Sequence, residues 1–235
     1  ELQPHNFASN IDFFGKEYHA NQKTTPSLPL EQQPGLSIQS MGQATAQPVL
    51  RGYSGDRFLL RADGVTIGDL SNTSIDHAIS IDMASFNNVR IIRGPESLLF
   101  GSNTIGGVID VSRQSNLDLR FKKISFLSLI GTESSNKGAF GNFTLYVPIN
   151  SQHQFRVSLL ERNSDNQNSP VGVLDNTNLS NNELAVSYSY FGKSHRSTLY
   201  YEQTKMDYGI PGSPEGHIDG VDIRMSKSSQ KYNYH

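Results

Sequence analysis

The sequence predicts a small mixed α+β unit with short helices, followed by the antiparallel β-strands of an incomplete transmembrane β-barrel. Three observations predict it. Residues 89–111, VRIIRGPESLLFGSNTIGGVIDV, enclose a Gly-dense turn between two β-branched runs. Beyond about Asn116 the chain changes to strands of alternating apolar and polar positions. The connections between those strands change length in a regular rhythm.

Val89, Ile91 and Ile92 read as one buried strand, and Val108, Ile109 and Val111 as another. Arg93-Gly94-Pro95 breaks the first run. Glu96 to Phe100 then has the acidic start and the apolar residues of a one- to two-turn helix. Gly101, Gly106 and Gly107 supply positive φ and close backbone approach before the second strand.

After that unit, Phe143, Leu145, Val147 and Ile149 share one strand face. Phe155, Val157 and Leu159 do the same in the next strand, with Arg156 and Ser158 opposite. Leu184, Val186, Tyr188 and Tyr190 alternate with small residues, and Leu199 and Tyr201 follow after a Gly192-Lys193 turn. The connections read as moderate (Thr132 to Gly141), short (Asn150 to Gln154), long (Asn163 to Asn182), short (Gly192 to Arg196) and long again after Asp207. Outer-membrane barrels carry long loops at one end and tight turns at the other. A soluble β-sandwich alternates as well, but has no reason to keep that rhythm.

Composition sets bounds on function. The 235 residues are only 35% hydrophobic and have a mean hydropathy of −0.47, so a large dry core is not expected. Twenty basic residues against 22 acidic ones give a net charge of −2, with no basic stripe, which argues against nucleic acid as a partner. Cys is absent, excluding disulfides, thiolate metal sites and Cys nucleophiles. No apolar run approaches the ~20 residues of a membrane-spanning helix, so insertion would use strands. The opening ELQPHNF lacks signal-peptide character and reads as a mature or truncated start. HExxH, G-x-S-x-G and a phosphate-binding Gly loop with Lys are all missing, and Asp63-Gly64 is better read as a turn than as half of a carboxylate pair with Asp82. No enzyme is expected.

The Arg93-Gly94-Pro95, Ser97-Leu98-Leu99-Phe100-Gly101 and Gly106-Gly107-Val108-Ile109 series resembles the C-terminal half of the plug domain of TonB-dependent outer-membrane receptors. Pro34-Gly35-Leu36-Ser37-Ile38, Val49-Leu50-Arg51-Gly52 and Leu59 to Val65 (LLRADGV) extend the resemblance upstream in the right order. Two positions depart from it: Arg61 stands where an apolar residue is usual, and Asn87-Asn88-Val89-Arg90 replaces acidic residues. The resemblance implies a plug domain over residues 1–115 and barrel strands over 116–235. About five strands fit in the second part, whereas a closed barrel needs at least ~8, and one that holds a plug ~22. A fragment is therefore expected.

By that resemblance the protein is a receptor in the outer membrane of a Gram-negative bacterium. It would bind a scarce nutrient and import it with energy from a TonB-type inner-membrane complex. Its partners are then that complex, outer-membrane lipid and a small-molecule or metal ligand. No cofactor is required; zinc, copper or an iron chelate would be bound as transported ligand. The coupling box of the family should lie upstream of Glu1, and no copy of it is found in the chain. A soluble or surface β-rich binding or adhesion module is the alternative from another class.

Ligand contacts are expected from two plug segments, giving Tyr53, Asp56 and Arg57 in the first and Asp69, Asp76 and His77 in the second. Asn72, Thr73 and Ser74 are read as turn formers. Carboxylate beside imidazole binds divalent cations, so Asp76 and His77, with His217 and Asp219 from the later loop, are the metal candidates; a hydrogen-bonded pair and a solvated loop are the plain alternatives. The Gly-Asp, Ser/Thr-rich, Asp-His-Ala order also resembles, less specifically, the zinc- and copper-uptake receptors of the family. Arg51 and Arg93, ending their strands, would pair either with barrel carboxylates or with neighbouring loop carbonyls.

Overall fold

The computed structural model describes residues 11–14, 34–45, 47–67, 77–78, 81–101, 104–113, 120–170, 172–211 and 223–234. The chain divides into two units. One takes in the chain up to Leu117 apart from short excursions; the other holds Asp118–His235 together with Met41–Ala44.

In the first unit the β-branched runs form β6 (Asn88–Ile92) and β7 (Val108–Ser112), paired antiparallel with Val89 opposite Val111 and Ile91 opposite Ile109. The LLRADGV stretch gives β4 (Leu59–Ala62) and β5 (Val65–Thr66), joined by a turn with Asp63 at φ 50° and Gly64 at 81°. β4 lies parallel to β7, and β1 (Ile11–Phe14) adds antiparallel to β6, so the sheet runs β1-β6-β7-β4-β5. β2 (Leu36–Gln39) and β3 (Gln47–Leu50) form a separate hairpin. Leu50, Phe86, Val89, Ile91, Ile109 and Val111 lie at the centre of one apolar cluster.

The segment expected as a helix from Glu96 is a 3-10 helix over Gly94–Phe100. Its tighter winding starts at the broken strand end, with Pro95 in its first turn. Ser97 Oγ fixes it by donating to Gly94 O at 2.7 Å and Thr104 O at 2.9 Å. Gly106 and Gly107 follow under real constraint. A Cβ on Gly106 would lie 2.8 Å from Tyr53 Cβ, and one on Gly107 2.6 Å from Ile92 O.

Both departures from the usual plug pattern have a partner in the sheet. Arg61 on β4 and Arg90 on β6 stand in register on either side of Asp110 on β7, away from the apolar cluster. The acidic member of the row stands on the middle strand. Burial pushes the Asp110 carboxyl above its ordinary range, and Arg61 and Arg90 partly offset this. Arg61 also donates to Gly64 O and lies 5.0 Å over the Phe100 ring.

The second unit is a six-stranded antiparallel sheet: β8 (Ser125–Glu133), β9 (Gly138–Pro148), β10 (His153–Ser164), β13 (Leu179–Phe191), β14 (Arg196–Ile210) and β15 (Ile223–Tyr234). β11 (Gln167–Ser169) and β12 (Gly172–Leu174) pair within the connection from β10 to β13. The five-strand expectation was one short. IRMSKSSQKYNY carries little apolar alternation, yet it pairs with β14 from Ile210–Ile223 to Leu199–Tyr234. The connection expected as moderate is also shorter: β8 and β9 pair as far as Glu133–Gly138, and Lys137 at φ 48° closes the turn. β14 runs on to Ile210, so the last long connection begins beyond Asp207.

This sheet is inside out. Along β10, Gln154, Arg156, Ser158 and Arg162 are buried, while Phe155 and Leu159 are 41% and 51% exposed. β13 repeats the pattern, with Asn181, Glu183, Ser187 and Ser189 buried and Leu184 exposed. The polar face is covered and the apolar face is bare.

Candidate functional site

Tyr53, Asp56 and Arg57 occupy one short segment. Leu50 and Tyr53 exchange backbone hydrogen bonds of 2.9 Å each, closing the turn that follows β3, and Gly55–Arg57 forms a single 3-10 turn. Arg57 O accepts from Gly106 N at 2.8 Å, so the Gly elbow holds this segment from below. Tyr53 is half-buried, while Asp56 and Arg57 are exposed. A carboxylate, a guanidinium and a phenol are thus presented together on a braced backbone.

Of the second ligand segment, Asp69 and Asp76 lie outside the described residues; so do the metal candidates His217 and Asp219. His77 is described. It is half-buried, and its carbonyl accepts from Gln47 Nε2 at 3.1 Å, which ties it to β3. Among the described residues no group of three His, Cys, Asp or Glu converges as a metal site.

Arg51 and Arg93 come together at the Pro34-Gly35 turn. Arg51, at φ 54°, donates its N–H to Gly35 O at 2.7 Å, and Arg93 Nη2 donates to Pro34 O. Burial, and then the charge of Arg51, lowers the pKa of Arg93 below the ordinary guanidinium range.

Three buried polar arrangements carry no sequence motif. Arg113, 4% exposed, donates its N–H to Asp63 Oδ1 at 2.9 Å and Nη1 to Oδ2 at 2.5 Å, and lies 4.2 Å over the Phe86 ring. It therefore clamps the end of β7 to the β4–β5 turn. In the second unit, Gln43 is 2% exposed; its Nε2 donates to Asp165 O at 2.7 Å and Thr177 O at 2.8 Å, and its Oε1 accepts from Asn136 Nδ2 at 2.6 Å. Arg162, fully buried, lies 4.5 Å over Phe140. The alternation that sets Arg156 opposite Phe155 and Val157 is the one sequence signal for this buried polar face.

A mixed α+β unit whose strands end in R-G and R-G-P turns, followed along the chain by an antiparallel sheet with an exposed apolar face, has the fold of a plug followed by barrel strands. Residues 11–108 match the family model "TonB-dependent Receptor Plug Domain", so this segment belongs to the plug-domain family of the TonB-dependent receptors. The chain is 37% identical over 87 residues to a hemin receptor of Yersinia enterocolitica, covering 37% of this chain and 12% of the relative. It is 31% identical over 97 residues to the vitamin B12 transporter BtuB of Photobacterium profundum, covering 41% and 16%. Among solved structures, the copper transporter OprC shares the fold over 96% of this chain and 34% of its own, with a TM-score of 0.75 at 17% identity. The ferric yersiniabactin uptake receptor FyuA of Yersinia pestis does so over 96% and 38%, with a TM-score of 0.67 at 22% identity. The chain thus spans between an eighth and two fifths of the length of these relatives. They are receptors and transporters, and the TonB-dependent family is one of Gram-negative outer-membrane proteins.

Proposed function

We propose that the chain is the plug domain (residues 1–115) and the first barrel strands (116–235) of a TonB-dependent receptor. The receptor binds a metal ion or metal chelate at the cell surface and admits it to the periplasm, using energy from a TonB-type inner-membrane complex. The observation that carries this reading is the inverted polarity of a sheet that follows a plug-family unit along the chain. Water outside would favour a sheet with its polar face exposed; lipid favours the arrangement found.

The apolar band has membrane dimensions. It runs over four outward rows, from His153 and Tyr190 at the end with the 149–152 and 192–195 turns up to Phe143, Leu159 and Leu184. Three steps of ~6.8 Å along strands tilted ~40° set the outermost rows ~16 Å apart, and the side chains at each edge extend the band toward the ~25 Å of known barrels. Tyr188, Tyr190, Phe155 and His153 cluster at its lower edge, with His153 Nδ1 2.5 Å from Tyr188 Oη, as an interfacial aromatic girdle does.

A metal or metal-chelate ligand is supported by the relatives, among them receptors and transporters named for hemin, copper and ferric yersiniabactin. On this chain we assign first contact to Tyr53, Asp56 and Arg57 of the first segment and to Asp69, Asp76 and His77 of the second; for a bare cation the assigned ligands are Asp76, His77, His217 and Asp219. Arg51 and Arg93 are assigned to holding the plug in place, either through barrel carboxylates or through loop carbonyls, as Arg93 does with Pro34 O. The test is uptake of radiolabelled hemin, copper, zinc and ferric siderophore by cells expressing the intact receptor, with and without the energy-coupling protein. Accumulation of one of them that needs both proteins supports the reading. Uptake of none above the receptor-free background overturns it.

A further inference from the structure

We propose that Gln43, Thr45 and Gln47 form a relay that couples the backbone at His77 to the neck of the 165–178 connection, so that the two loosen together; as regulation of a ligand contact, this coupling rests on the reading of His77 given above. Gln43 closes the neck. The connection leaves β10 at Asp165 and rejoins β13 after Asn178, and the Gln43 amide divides its two N–H bonds between the ends, one to Asp165 O and one to Thr177 O. Its Oε1 is held by Asn136 Nδ2, and Asn136 O in turn accepts from Asp165 N at 2.9 Å. The direction of the Asn136 carboxamide is set by Gly138 N, which donates to its Oδ1 at 2.8 Å. The connection is built up from this neck: Gln167 N donates to Thr177 Oγ1, and Thr177 N and Asn178 N both donate to Asn166 Oδ1.

The chain itself carries the coupling. Met41–Ala44 belongs to the second unit, whereas Thr45 and the residues that follow it belong to the first. Gly42 sits tightly in its place, since a Cβ on it would lie 3.2 Å from Pro211 Cδ. Four positions after Gln43, Gln47 opens β3, and its Nε2 donates to His77 O at 3.1 Å. One carboxamide therefore grips the neck and another the His77 backbone. At ~3.3–3.6 Å per residue the link between them spans at most ~14 Å, so little slack separates the two grips.

Thr45 lies between the grips and keeps the arrangement near balance. It is fully buried, and its Oγ1 has no hydrogen-bond partner among the described residues. A buried hydroxyl left unpaired is costly, and the cost falls only while the segment stays packed in place. Three hydrogen bonds to Gln43 thus hold the neck, and one unpaired hydroxyl two residues away opposes them. That opposition makes the segment an element whose equilibrium two sites can bias.

The test is hydrogen exchange, read by mass spectrometry on the intact receptor in detergent without ligand, in peptides that carry the Gln167 and Thr177 amides. Met keeps the length of each Gln and removes its amide. Gln43→Met is expected to lower protection there by about thirtyfold or more. Gln47→Met, at the other end of the link, should lower it by about threefold or more and add nothing in the Gln43→Met background, the non-additivity that a double-mutant cycle reads. Thr45→Val removes the unpaired hydroxyl and should raise protection by about fivefold or more. Unchanged protection in Gln47→Met, or an effect that simply adds to that of Gln43→Met, overturns the relay; unchanged or lower protection in Thr45→Val overturns the balance assigned to Thr45. Failure of the ligand reading shows differently, as unchanged uptake by a His77→Ala receptor, and leaves the exchange cycle as it is.

Discussion

Gly107→Ala is the sharpest perturbation of the plug unit, because Gly101→Ala is a control built into the same elbow. Gly107 sits at φ 126° and Gly101 at φ 133°, where an L side chain is strained by ~1–3 kcal/mol. Around Gly101 there is open space, whereas a Cβ on Gly107 would lie 2.6 Å from Ile92 O and 2.7 Å from Leu50 Cδ2. Neither neighbour yields cheaply. Ile92 O belongs to β6, and Leu50 is fully buried in the cluster. Overpacking of this kind adds ~1–3 kcal/mol, so Gly107→Ala should cost ~2–6 kcal/mol in all and Gly101→Ala only the ~1–3 kcal/mol of backbone strain. The assay is hydrogen exchange of the Val108–Ser112 amides in the whole chain, which reads the local opening energy of β7 directly. Equal protection in the two variants would refute the close-approach argument.

Other perturbations follow from the buried polar groups. Arg113→Met removes a paired and stacked cation while leaving Asp63, whose side chain is 24% exposed; with the ~3–5 kcal/mol of a fully buried pair discounted for that exposure, a loss of ~2–3 kcal/mol is expected in the same exchange measurement. Asp110 holds its proton to higher pH in the folded unit than in the unfolded chain, so its contribution to stability is greatest below the ordinary carboxylate range and fades as pH rises through the folded pKa. Asp110→Asn should therefore flatten the acid-side slope of urea stability and leave neutral-pH stability equal or higher, whereas Arg61→Leu should cost ~1 kcal/mol at neutral pH only while Asp110 is present. Gln43→Leu leaves the Asp165 and Thr177 carbonyls without their amide donor and is expected to cost ~2–3 kcal/mol. Its signature is loss of exchange protection at Gln167 and Thr177, whose amides are held by Thr177 Oγ1 and Asn166 Oδ1.

Much of the fold is legible along the chain because it rests on local signals. The β6 and β7 runs, the Asp63-Gly64 turn and the Gly106-Gly107 elbow each combine a propensity with a backbone need. Alternation in β9, β10 and β13 gave both the strands and the sense of their polarity. The strand that was missed, β15, is specified by pairing with β14 rather than by its own pattern, and the short β8–β9 turn depends on Lys137 adopting a left-handed conformation. Candidate site residues divide the same way. Tyr53, Asp56 and Arg57 follow from a loop signal, but Arg113 meets Asp63 and Gln43 meets Asn136 across 50 and 93 residues of chain, which no local pattern encodes. The Arg61–Asp110–Arg90 row is also of this kind. Each charge looks misplaced alone and is answered only in register.

The direct test of the central claim is accessibility along β10 in the intact receptor in lipid vesicles. The chain has no Cys, so in a Cys-free receptor a single spin label can be carried from Gln154 to Leu160, and its collisions with oxygen compared with those of a water-soluble nickel chelate. Lipid on the apolar face predicts high oxygen and low nickel accessibility at Phe155, Val157 and Leu159, and low accessibility to both at Arg156, Ser158 and Leu160. Nickel accessibility at Phe155, Val157 and Leu159 would place that face in water and contradict the account.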